Sequence, residues 1–354
     1  MLKTIPVYYC DEMIADSDSR SPSAEKPRPV VAAWQEAGLP VEVQPAVPVT
    51  TEELSLAHDQ NFVRSILACE QPNGFGNSRE DVARSLPYTN GAMLCAAQRA
   101  LETGIACAPV SGFHHAGYDT ASMFCTFNGL MVAAVQLLRA KRVAHILILD
   151  CDYHFGNGTD DIIERLGIAS EVENVTLGRS YRSKSHATLY MQALRRITER
   201  FGEFNLILYQ AGADLHVDDP MGGVLDSKQM RERDRLVFET AKHVGVPLAW
   251  NLAGGYQVPV SKVIRLHMAT MEECARAYVL NDIQKAIDRV HALLTPVTQF
   301  CSGTKISEPD PDDPQVLLKR AIVDCAYRTI ASFTMRRPTG TVRDTLHGLG
   351  RRFM

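Results

Sequence analysis

Two aspartates and a histidine at alternate positions, Asp150-Cys151-Asp152-Tyr153-His154, stand directly after the aliphatic run Ile146-Leu147-Ile148-Leu149. In an extended chain alternate side chains share one side, so this spacing predicts that Asp150, Asp152 and His154 face together. Two crowded carboxylates repel each other unless a cation sits between them, and the imidazole completes a nitrogen–oxygen ligand set. Either acid alone would be an ordinary helix cap or loop residue. A second aliphatic run, Leu206-Ile207-Leu208-Tyr209-Gln210, leads into Ala211-Gly212-Ala213-Asp214. If both runs are parallel strands, Asp214 emerges at the same sheet end. Asp152, His154 and Asp214 then form a three-ligand metal site with an open position, the mark of a catalytic rather than a structural zinc-type centre.

Two further segments carry usable chemistry. Gly112-Phe113-His114-His115-Ala116 places adjacent imidazoles at a turn, where both can reach one cavity as acid–base groups; a structural role for the pair is the alternative. Asn251-Leu252-Ala253-Gly254-Gly255-Tyr256 has a diglycine that permits unusual backbone angles and could aim the Tyr256 hydroxyl inward. Other catalytic classes fail on type: there is no G-x-S-x-G elbow, no P-loop and no strand followed by G-x-G-x-x-G. Cys125 and Cys151 lie close to these motifs, but Cys151 alternates away from its flanking acids, and such thiols usually act as small buried hydrophobes.

The elements that must position these residues are legible as apolar runs bounded by turns. Strands are predicted at 5–9, 41–44, 146–151, 206–210 and 246–252, and helices at 90–103, 130–140, 185–201 and 227–244. Alternating strands and helices imply an α/β fold with a mostly parallel sheet covered on both faces. In such sheets ligands gather beyond the carboxyl ends of the strands. Thr50-Thr51-Glu52-Glu53-Leu54 reads as a helix start, with hydroxyl caps and acids at the positive dipole end. The Pro- and Asp-rich stretch 303–315 reads as a connection to a last amphipathic helix at 316–333, so a single domain over 1–354 is expected, with its motif-bearing core at about 5–300.

Composition sets the outer limits. The 354 residues carry 37 Lys+Arg and 41 Asp+Glu, a net charge of −4, with 45% hydrophobic and 22% charged residues. These proportions exclude a disordered tail protein and lend no support to nucleic-acid binding, which needs a basic surface. No apolar run approaches the roughly 18–20 residues needed to span a membrane. Nine scattered cysteines without paired spacing suggest reduced thiols and a cytoplasmic protein.

Taken in order, HHA, D-x-D-x-H-x-G-x-G, GAD and GGY resemble the zinc-dependent histone deacetylase family, which includes bacterial histone-deacetylase-like and acetylpolyamine amidohydrolases. Weaker similarities lie at Ala57-His58-Asp59, Ser122-Met123-Phe124-Cys125 with Asn128, and Asp218-Asp219-Pro220-Met221. The resemblance implies the single-domain arginase–deacetylase fold with a sheet of about eight strands. It implies that Asp152, His154 and Asp214 hold the metal, that His114 and His115 are the paired active-site histidines, and that Tyr256 polarises the carbonyl. Asp150 would bond His114. By the same resemblance Asp150, Asp152, His154, Thr176 and Leu177 form a structural potassium site. Phe124, Met221 and Gly254 line the acyl-lysine tunnel, and Arg28 matches a basic residue near an acetate channel.

The implied reaction hydrolyses an N-acetylated amine, either an acetyl-lysine side chain or a small acetylated amine, to acetate and free amine. Zinc fits the ligand types, and iron(II) or cobalt(II) suit them too. His115 is the better general base, with His114 in electrostatic support. Two departures from the family pattern stand out. Asn157 replaces the aspartate that many members place beside the second histidine, and Gly178-Arg179-Ser180-Tyr181-Arg182-Ser183-Lys184 is polar and basic where the family often has a Gly/Pro/aromatic loop. The latter is either a solvated loop of charges or a rim that favours anionic or neutral amides over polycationic acetylpolyamines. A degenerate acyl-lysine binding protein and an arginase-type ureohydrolase are the competing readings; the latter needs a second ligand set that the sequence lacks. A homo-oligomer is left open.

Overall fold

The chain is described by a computed structural model over residues 4–280. Seven short strands make one sheet: β1 (Ile5–Tyr8), β2 (Val41–Gln44), β3 (Ile105–Ala108), β4 (Ile146–Asp150), β5 (Val172–Thr176), β6 (Leu206–Gln210) and β7 (Leu248–Asn251). Their order is β2-β1-β3-β7-β6-β4-β5, and every pair is parallel. The described residues thus hold seven strands against the expected eight or so. The central strands β3, β4, β6 and β7 are buried along their whole length, which is why they read as continuous apolar runs.

Among the described residues nine α-helices complete the layers: α1 (Pro27–Glu36), α2 (Thr51–Leu54), α3 (Gln60–Leu67), α4 (Glu80–Thr103), α5 (Gly129–Arg139), α6 (Asn157–Leu166), α7 (Ala187–Thr198), α8 (Ser227–Val244) and α9 (Ser261–Ala275). They cover both faces of the sheet. On one side α4 packs on β3 and β7 and carries α5; a second group joins α8 to α7 and α9, and α9 to α1. The capping signal at Thr50 is realised: its hydroxyl accepts from the Glu53 amide at 3.1 Å, and the Glu53 carboxylate accepts from the Thr50 amide at 2.7 Å. None of the described helices is long and apolar enough to cross a membrane.

Register is what makes a site. Asp150 stands opposite both Thr176 and Gln210, Gln210 opposite Asn251, and Asn251 opposite Ala108. Five strands therefore end level, and the residues after them emerge side by side at one edge. The connection 303–315 and the helix expected at 316–333 lie outside the described residues.

Candidate active site

β4 ends at Asp150 and the chain bends through 152–154. The extended alternation expected there is replaced by a turn, which still brings Asp152 and His154 together. His154 Nδ1 lies 3.1 Å from Asp152 Oδ1 and 3.0 Å from Asp214 Oδ2, and one ligand atom of each residue falls within 4.8 Å of the others. Asp152 and Asp214 are buried. Their positions are held by backbone donors: the Gly254 amide to Asp152 Oδ2 at 2.8 Å, the His154 amide to Asp152 Oδ1 at 2.9 Å, and the Tyr153 amide to Asp214 Oδ1 at 3.1 Å. A side chain at Gly254 would put its Cβ 2.4 Å from Asp214 Oδ2 and 2.7 Å from Asp152 Oδ2, so only glycine fits between the two acids.

The electrostatics fit a cation. Burial and the neighbouring Asp152 charge push the Asp214 carboxyl up to about 7. Burial would lower His154, but Asp152 and Asp214 more than offset it and hold it at about 10. Two carboxylates crowded around one imidazole thus form a cradle whose negative charge a divalent ion would neutralise. Two carboxylate oxygens and one imidazole nitrogen suit zinc, iron(II) or cobalt(II).

The paired histidines sit on the N-terminus of α6. The His114 carbonyl accepts from the Gly158 and Thr159 amides at 2.9 and 3.1 Å, capping that helix from outside. A Cβ at Gly158 would meet the Ala116 carbonyl oxygen at 2.4 Å, and one at Gly156 would meet Asp150 Oδ2 at 2.6 Å. The G-x-G spacing is therefore the space into which the histidine loop packs. His114 Nδ1 bonds Asp150 Oδ2 at 2.7 Å, and His115 Nδ1 bonds Asn157 Oδ1 at 2.6 Å. The rings lie 4.1 Å apart, yet they titrate oppositely. For His114, burial is outweighed by Asp150 and Asp152, which raise it to about 9. His115 falls to about 4 through burial and the His114 charge, against the bond to Asn157. At neutral pH one imidazole is a cation and the other a free base.

Tyr256 follows the diglycine. Its ring is 6.4 Å from His154 and 5.9 Å from Phe124, which in turn is 5.9 Å from Phe75. Burial and the charges of Asp152 and Asp214 raise the phenol well above its usual range, so it remains a hydrogen-bond donor. Met221 is partly exposed and tied by its amide to Asp219 Oδ1 at 3.0 Å, while Asp219 Oδ2 accepts from the Tyr256 amide at 2.7 Å. Asp150 Oδ1 accepts from the Asp152 amide and from Gln210 Nε2, both at 3.1 Å. Thr176 lies beside Asp150 in register, with buried Leu177 next to it, so the five residues expected to hold potassium are neighbours.

Arg28 is not brought to this site. It lies on the surface, where its Nε bonds Asp11 at 3.3 Å. A buried lysine, Lys26, does reach the site: its Nζ donates to the Ala253 carbonyl at 2.5 Å and faces that of Gly254 at 3.4 Å. Burial lowers it to about 8 against the pull of Asp214, Asp152 and Asp219. Sequence reading also missed Arg233, which is fully buried. Its Nη1 donates to the Gly212 carbonyl at 2.7 Å and faces that of Cys151 at 3.4 Å, while Nε donates to Asp234 at 2.8 Å. It ties together the two chain segments that carry Asp152 and Asp214. The signal was present: Met230, Arg233, Asp234, Val237, Phe238 and Ala241 share the buried face of α8. His58 is likewise buried, with Nδ1 donating to the Gly117 carbonyl at 2.8 Å and Nε2 accepting from the Asn128 amide at 2.9 Å.

With this geometry in place, comparison with known proteins agrees on its class. The chain matches the histone deacetylase domain over residues 22–169 and 164–271, more than half its length, and it belongs to the histone deacetylase family. An uncharacterized protein of Picosynechococcus sp. is 28% identical over 236 residues, 60% of this chain and 78% of that protein. Among solved structures, the HDA15 HD domain superposes with a TM-score of 0.64 at 19% identity, covering 83% of this chain and 96% of that one. The acetylpolyamine aminohydrolase of Burkholderia pseudomallei gives 0.62 at 17% identity, covering 77% and 99%. These two likenesses establish a shared arginase–deacetylase fold.

Proposed function

We propose that the chain is a metal-dependent deacetylase that hydrolyses an N-acetylated amine to acetate and the free amine. The observation that carries this reading is the convergence of Asp152, His154 and Asp214 in one buried cradle, beside a charged and a neutral histidine and a tyrosine donor. An ion held by those three residues would polarise the acyl carbonyl and acidify a water. His115, free of a proton at neutral pH, accepts the proton that the attacking water gives up and later delivers it to the leaving nitrogen. His114, held protonated by Asp150, supplies positive charge where the tetrahedral oxyanion develops. Tyr256 donates to that same oxygen, and Asp219 and Lys26 fix the loop on which it stands. A structural potassium ion among Asp150, Asp152, His154, Thr176 and Leu177 would stiffen the base of the cradle.

The test is turnover by the full chain loaded with zinc, iron(II) or cobalt(II), using acetyl-lysine peptides and acetylated polyamines and measuring released acetate. Tyr256→Phe is expected to lower kcat on the order of a hundredfold, and Asp214→Asn to abolish turnover together with metal binding. Hydrolysis of none of these amides by any metal form, with acetyl-lysine peptides still bound, would instead establish an acyl-lysine binding protein.

A further inference from the structure

The loop from Gly178 to Lys184 is not a detached surface excursion. A Cβ at Gly178 would lie 2.2 Å from the Tyr153 carbonyl oxygen and 2.7 Å from that of Asp152, so the loop starts in contact with the backbone of the metal cradle. From there it sends two arginines over the aromatic rings on either side of His154. The Arg182 guanidinium lies 4.9 Å from the Tyr153 ring centroid, and the Arg179 guanidinium 4.7 Å from that of Phe155. Tyr153 is itself edge-on to His154, with centroids 5.3 Å apart. The contact is doubled because the Tyr153 hydroxyl donates to the Arg182 carbonyl at 3.1 Å.

Three features make these arginines a recognition device rather than a solvated face. Both are exposed, as is Lys184. Among the described residues no carboxylate lies within 4.0 Å of Arg179, Arg182 or Lys184 to neutralise them. Stacking on an aromatic face pre-orders a guanidinium while leaving its edge N–H donors directed outward, the geometry that takes a carboxylate in a bidentate pair. An exposed cation of this kind, held over the rings that flank His154, attracts anions and repels the ammonium groups of a polyamine.

We infer that Arg179 and Arg182 form an anion-binding rim that selects acylated amines bearing a carboxylate close to the acyl group, namely acyl-lysine within an acidic sequence. This rests on the deacetylase reading for turnover, but binding tests it separately. Three acetyl-lysine peptides that differ only in the flanking residue, Glu, Gln or Lys, are compared with the metal-loaded full chain. The expected kcat/KM order is Glu, Gln, Lys, with about five- to tenfold between the extremes, carried by KM and compressed at high salt. The Arg179→Gln/Arg182→Gln double variant removes the difference between peptides, and Arg182→Glu reverses the order. Affinities of the same peptides for the Tyr256→Phe protein, by fluorescence anisotropy, follow the same order. Equal values across the three peptides in both assays, or a preference that persists in the double variant, would overturn the inference. Absence of turnover with the charge order intact in anisotropy would defeat the deacetylase reading and leave the rim assignment standing.

Discussion

The floor and the rim of the site are built on opposite principles. On the floor the aspartates are buried and multiply bonded: Asp150 is held by His114, Gln210 and a backbone amide, Asp152 by two amides, and the segments bearing Asp152 and Asp214 by Arg233. At the rim Arg179, Arg182 and Met221 are exposed, and the arginines are held by stacking. Groups whose chemistry depends on tenths of an ångström stand at level strand ends, where the sheet holds them. Groups that choose among substrates stand on loops that can change without disturbing the sheet.

The contrast breaks first at Arg233. Arg233→Met leaves Asp234 charged and buried beside Tyr209 and Thr270 and frees the Gly212 carbonyl. Urea unfolding should show a loss on the order of 3–5 kcal/mol, with weaker cobalt(II) binding, whereas Arg182→Gln at the rim should shift stability by no more than about 0.5 kcal/mol. Parity between the two variants would dissolve the distinction.

A smaller effect comes from His58. An unfolded histidine titrates near 6.5 and the buried ring at about 4, through desolvation. Between those pH values the unfolded chain binds more protons, so stability falls as pH drops from about 6.5 to about 4, by on the order of 3 kcal/mol. The pH dependence of unfolding should be shallower in His58→Gln by that difference.

The smallest effect sharpens the floor itself. An aspartate at 157 would favour the His115 imidazolium, so Asn157→Asp should move the acidic limb of the kcat/KM profile to higher pH by roughly one unit. An unmoved limb would show that His115 is not the group titrating there.

What sequence could reveal followed from periodicity and side-chain type. Strand 206–210 and the helix at 227–244 fall where expected, because a strand buried on both faces and a capped amphipathic helix leave strong patterns, while the edge strand at 41–44 was legible from its alternating valines. The strand Val172–Thr176 was missed because the adjacent polar residues Glu173 and Asn174 break its apolar pattern at a sheet edge. Pro27–Glu36 was missed because two prolines mask its start. The cradle was legible because acids at two strand ends share one edge only if the strands are parallel. Arg233 and Lys26 were not, since a long cation reads as solvated unless the face it shares is followed residue by residue. Arg28 shows the converse: it is an exposed guanidinium paired with Asp11, while the amine two residues before it is buried against the Ala253 carbonyl.

Gly178 carries a practical consequence for altering selectivity. Because the base of the rim loop presses on the Tyr153 and Asp152 carbonyls with no room for a methyl group, a loop transplanted from a relative must keep that one residue bare. Everything beyond it can be exchanged or diversified, so a library anchored at Gly178 would explore new substrates while leaving the hydrolytic machinery undisturbed.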